Sequence, residues 1–118
     1  DGSPRMIEHC VFLKLHADAD LVELQETLDG LDHLTEDMSG FLSFRAGPNR
    51  DFEGKSSEYP WGFVATFTDA AALQAYASDP RHQALGARLV AQCAGGGDGI
   101  MVFDLAVEAP HDDIAAMA

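Results

Sequence analysis

The sequence is short of cysteine, of basic residues and of long apolar runs, and each shortage closes off a class of function. Its two cysteines, Cys10 and Cys93, stand in apolar runs without metal-motif spacing. That argues against a disulfide scaffold or a zinc site, and both read as reduced core residues of a cytoplasmic protein. Only 7 Lys and Arg oppose 20 Asp and Glu, for a formal net charge of −13. Nucleic acids and anionic membranes are bound through basic surfaces, so neither is expected as a partner. The acid excess reads as a solvated, solubilising surface. No apolar stretch approaches the roughly 20 residues that cross a bilayer. The N-terminal residues carry no apolar core of a signal peptide.

What is present is enough for one domain. The 118 residues are 47% hydrophobic, sufficient for a single modest core. Asp1-Gly-Ser-Pro-Arg5 ahead of Met6 reads as a vector-derived remnant, so residues 1–5 are set aside. The domain is expected over 6–105, and the Ala- and Asp-rich tail, 106–118, as a helix stub or a disordered end.

Residues 7–15 alternate, with Ile7, His9, Val11, Leu13 and Leu15 on one face and Glu8, Cys10, Phe12, Lys14 and His16 on the other. This predicts a strand. Asp18 or Asp20 caps a helix to about Met38, carried by leucines at helical spacing, with Gly30 as a weak point or bend. Ser39-Gly40 ends it, and 41–46 reads as a second strand closed by Gly47-Pro48-Asn49. Residues 51–60 are polar and glycine-containing, which predicts a mobile loop. The aromatic run 61–67 is a third strand, and a helix from Asp69 to about Ala77 follows. Pro80 interrupts that helix, and another runs from about Arg81 to Cys93. The turn Gly95-Gly96-Gly97 has no phosphate-loop lysine after it, and 100–105 forms the last strand.

The order strand, helix, strand, strand, helix, strand is the split βαβ, or ferredoxin-like, arrangement of an α+β fold. It predicts a four-stranded antiparallel sheet with helices on one face. Such a sheet usually has one polar face, yet the first, third and last strands carry apolar residues on both. The chain has no spare element to cover the second face. A second copy, sheet against sheet, is the economical cover, so a homodimer is expected.

Three polar residues stand out against this frame. His9 is the only polar residue on its strand face, so its imidazole must be hydrogen-bonded or border a wet pocket. Tyr76-Ala-Ser-Asp-Pro-Arg-His82 places two proton-transfer groups near one turn. His82 has the ordinary pKa of a general base, and Tyr76 can donate to a carbonyl oxygen as charge develops. Each has an ordinary alternative. His9 would be a satisfied core histidine, Tyr76 a core aromatic three residues from Leu73, and His82 an anchor of the turn. Trp61 and Phe63 line a ligand pocket or simply fill the core. No local spacing supports a metal site.

His9, Val11 and Lys14, Ser39-Gly40, Gly47, the aromatic third strand, Asp69, Leu73 and Tyr76, and Pro80-x-His82 together form a pattern. On these residues the chain resembles the stress-responsive dimeric A/B-barrel (Dabb) family from Met6 to Leu105. The resemblance implies a ferredoxin-like protomer whose dimer closes into an α/β barrel. It also implies kinship with polyketide cyclases of the olivetolic acid cyclase kind, which fold a poly-β-keto chain by aldol condensation without cofactor or metal. Their Tyr and His on either side of a Pro, with a second His on the first strand, fall at Tyr76, His82 and His9. A further cyclase Tyr falls near Leu31, where this chain departs from the pattern.

The expectation is therefore a cytoplasmic homodimer that binds a small hydrophobic or ketide-like molecule between sheet and helices. His82 would act as base, Tyr76 as donor, and His9 would orient the ligand. The alternatives are a non-enzymatic structural or stress-associated homodimer and a ferredoxin-like dimeric monooxygenase, cofactor-free or haem-binding.

Overall fold

The computed structural model describes residues 5–108. Four strands, β1 (Arg5–Leu13), β2 (Phe41–Pro48), β3 (Trp61–Phe67) and β4 (Ile100–Glu108), form one antiparallel sheet in the order β2-β3-β1-β4. Three α-helices, α1 (Leu21–His33), α2 (Ala70–Ser78) and α3 (Pro80–Ala91), and two short 3-10 turns complete the described fold. Element order and sheet agree with the ferredoxin-like expectation.

Alternation decides the layers. Val11, Leu13, Phe63, Ala65 and Phe67 point to one face and meet Leu24, Leu28 and Leu31 of α1, Tyr76 of α2 and Leu89 of α3. All ten are buried at 5% exposure or less. The opposite face shows Cys10, Phe12 and Val64 half covered, with Met101, Phe103 and Leu105 exposed. Cys93 is buried, but Cys10 lies on this second face, outside the expected core.

Local chemistry sets the helix ends. The Asp20 carboxylate accepts from the Val22 and Glu23 amides at 3.0 and 3.1 Å, and Asp69 caps α2 through the Ala72 amide. The first helix stops earlier than its leucine spacing predicts. A 3-10 turn over Leu34–Glu36 keeps Leu34 buried while the backbone tightens toward Gly40, at φ +85. Gly30 is a contact rather than a bend, because a Cβ there would meet Leu85 Cδ2 at 2.8 Å. The missing side chain leaves room for Leu85 of α3 against α1.

Two other boundaries differ from the sequence reading. Strand β1 begins at Arg5, within the segment read as a remnant, and pairs there with Glu108. Strand β4 accordingly continues three residues beyond Leu105, whereas residues 109–118 lie outside the described part. The loop 51–60, expected to be mobile, is tied within itself and to Asn49. The Asn49 side-chain amide donates to the Ser56 and Tyr59 carbonyls at 3.2 and 2.9 Å, and the Asp51 carboxylate accepts from the Lys55 and Ser56 amides and the Ser56 hydroxyl, all three at 2.9 Å. These bonds hold the Asp51 carboxyl below its ordinary range. Asn, Asp and Ser here replace solvent as partners of the loop backbone.

Candidate functional site

One residue places the pair Tyr76 and His82. Asp79 precedes Pro80, which disfavours helical backbone at Asp79, and it is extended at φ −69, ψ 130. It therefore ends α2 and caps α3 through the Arg81 amide at 2.7 Å, with Pro80 in the first helical position. Tyr76 leaves the last turn of α2 and His82 the first turn of α3. Their ring centroids lie 4.2 Å apart.

His9 reaches them from the sheet. In register it stands between Ala65 of β3 and Asp104 of β4. Its ring lies 6.2 Å from Tyr76, 6.2 Å from Phe63 and 6.3 Å from Phe67. The structure thus brings His9, Tyr76 and His82 together. Phe63 borders His9 from the buried side, while Trp61, opposite Leu13 and Pro48, packs against the end of the core.

The hydrogen bonds define the chemistry available. His9 Nδ1 lies 2.5 Å from Asp104 Oδ1, so a neutral ring donates there and presents Nε2 as acceptor. His82 Nδ1 faces the Ala77 carbonyl at 3.3 Å and likewise leaves Nε2 as its acceptor. Burial, helped by the neighbouring His9, lowers the His82 pKa against the raising effects of the Ala77 carbonyl and Asp79. Tyr76 is 1% exposed, and burial pushes its phenol well above the ordinary value. Its hydroxyl has no hydrogen-bond partner, and it is the single buried side-chain N or O atom so placed among the described residues. Such an orphan costs about 1–3 kcal/mol unless something outside the chain satisfies it.

Asp104 was missed as a site residue. In sequence it is a lone acid on an apolar strand, and its pairing with His9 depends on a register between strands 95 positions apart. Around Tyr76 the space is largely filled, since Phe41 and Phe67 each pack at 5.0 Å between centroids. A groove of about 880 Å³ lies instead on the opposite face of the sheet, between it and residues 54–59. Among the described residues, no three or more His, Cys, Asp and Glu are grouped to hold a metal ion. No described helix is long and apolar enough to cross a membrane.

Residues 7–107 match the family model for the stress responsive A/B barrel domain, Dabb. The chain belongs to the Dabb family. A dimeric ferredoxin-like protein of unknown function from Jannaschia sp. CCS1 is 49% identical, with 85% of this chain and 97% of that one covered at a TM-score of 0.82. A Dabb family protein with a ferredoxin-like fold from Mesorhizobium loti is 25% identical, with 91% and 98% covered and a TM-score of 0.64. The hydroxynitrile lyase of Passiflora edulis shares the fold at 13% identity, with 92% and 98% covered and a TM-score of 0.75. No curated protein matches the chain. Family and fold are thereby shown, and the chemistry of this Dabb domain is a separate question.

Proposed function

We propose that this Dabb protein is a homodimer, closed sheet face to sheet face, that binds a small ketide-like carbonyl compound where Tyr76, His82 and His9 meet. The observation that carries the reading is the buried Tyr76 hydroxyl without a partner, within an aromatic wall and beside two imidazoles. A ligand carbonyl would accept from that hydroxyl and gain most when it carries developing negative charge. His82, kept neutral by burial, would take the proton from the carbon between two carbonyls through Nε2. Asp104 would hold the His9 tautomer, so that His9 orients the ligand as an acceptor. The dimer is supported by the uncovered apolar face and by the dimeric state named for the Jannaschia relative.

A purely structural role for the three residues is favoured by one observation, the close packing of Phe41 and Phe67 on Tyr76. The two readings separate on proton exchange. Ethyl acetoacetate in deuterated buffer is expected to lose its central protons faster with the protein than without it, and His82→Gln should lower that excess rate by about 10²-fold or more. The pH profile has a definite sign. The folded His82 pKa lies below 6.5, so the base is available above that value and is lost only as pH falls further. Stability follows the same direction, because below pH 6.5 the unfolded chain binds the proton first. No excess exchange at any pH, with the fold intact, would leave the structural role.

A further inference from the structure

The four strands carry five Asp, Glu, Lys or Arg side chains, and two of them are left over. Arg5 pairs with Glu108, and Asp104 with His9, at alternate positions that share the helix side of the sheet. Glu8 and Arg45 remain, and alternation puts both on the outer face. Every other outward position of the paired strands is uncharged, in a chain with 20 acids. Glu8 lies in register with Thr66, whose hydroxyl donates to Glu8 Oε1 at 2.8 Å. The Arg45 side chain is exposed and makes no ion pair among the described residues. Arg45 pairs with Val64, itself beside Cys10, so it stands two strands and one outward step from Glu8. On ordinary strand spacings their backbones are about 12 Å apart, and the two charges do not meet within one chain.

We infer that in the proposed dimer Arg45 of each protomer pairs with the partner's Glu8, two reciprocal ion pairs that fix the alignment of the sheets. Its basis is the homodimer already proposed, to which it adds the contact that sets the register. A two-fold axis relating opposed sheets lies in the plane between them. Placed over β3 between Val64 and Thr66, it sets each Arg45 opposite the partner's Glu8 and closes both pairs at once. Facing sheets lie about 10 Å apart, a gap that an arginine and a glutamate reach across from opposite sides. The same axis lays the exposed strip of β4 over β2 and β3 of the partner, so the apolar cover and the ion pairs need one arrangement. A charge covered without a partner is strongly unfavourable, so any other alignment that buries these two groups is disfavoured. Two protomers of net charge −13 also repel one another, which makes a cation on this face valuable for association.

Complementary variants test the pairing. Arg45→Glu puts two acids on the face and Glu8→Arg puts two bases there, so each opposes like charges twice in its own dimer. Each alone is expected to dimerise about 10²-fold more weakly or worse. Mixed one to one, they restore both pairs, and sedimentation velocity should show a heterodimer of near wild-type affinity. Circular dichroism checks the fold of each variant, since Glu8→Arg removes the acceptor of the Thr66 hydroxyl. Should that variant not fold, Glu8→Gln and Arg45→Gln replace the pair. Each is expected to weaken the dimer, and the double variant to be no weaker than either, because no charge is then left unpaired. Single variants as dimeric as wild type, a mixture that stays monomeric, or additive losses in the glutamine series overturn the ion pairs. A dimer broken by Phe103→Asp yet indifferent to both charge reversals keeps the interface and discards the pairs. Monomeric wild-type protein overturns both.

Discussion

Phe103→Asp is expected to convert the proposed dimer to a monomer, with the dissociation constant rising by about 10³-fold or more. The side chain is 50% exposed on the open sheet face, and its ring lies 6.0 Å from Phe12. With Met101 and Leu105 it forms an apolar strip along β4. An isologous interface contains every substitution twice, so two carboxylates would lose water on association. A loss of about 4 kcal/mol corresponds to that 10³-fold change. Phe103→Leu keeps the apolar surface and should remain dimeric. Sedimentation velocity across a concentration series checks both variants. A Phe103→Asp protein that stays dimeric would move the interface elsewhere.

Phe67→Ala should lower the unfolding free energy by roughly 3–5 kcal/mol, the range for a large aromatic removed from a core. Phe67 is 0% exposed, stacks on Phe41 at 4.6 Å and packs on Tyr76 at 5.0 Å. Its loss opens a void directly behind the candidate site, so Tyr76 and His9 lose the wall that orients them. Urea unfolding followed by circular dichroism reads the magnitude. A change under about 1 kcal/mol would mean that the site collapses freely, contrary to the packing.

The strands were legible because one face of the sheet is buried and the alternation of β1 and β3 survives in the sequence. The end of α1 was not, because a 3-10 turn continues the leucine spacing while changing the backbone. Pro80 told correctly of a helix boundary, and the structure adds that Asp79 serves both helices at once. His9, Tyr76 and His82 could be singled out as polar residues in apolar or turn contexts. Asp104 could not be joined to them, since its role depends on the register of β1 with β4. Order in the loop 49–60 did leave a signal, in Asn49, Asp51 and Ser56, whose side chains satisfy backbone amides and carbonyls. Composition alone read 51–60 as a mobile loop and Asn49 only as part of the turn that closes the second strand.

The measurement closest to the central claim is the unfolding free energy of Tyr76→Phe. If the hydroxyl is held without a partner for an incoming ligand, its removal relieves a buried polar group and leaves the ring packing intact. The variant should then be more stable than the wild type by about 1–3 kcal/mol, while its excess exchange with ethyl acetoacetate falls. A Tyr76→Phe protein that is less stable than wild type, with exchange unchanged, would contradict the account. The hydroxyl would then be part of the scaffold.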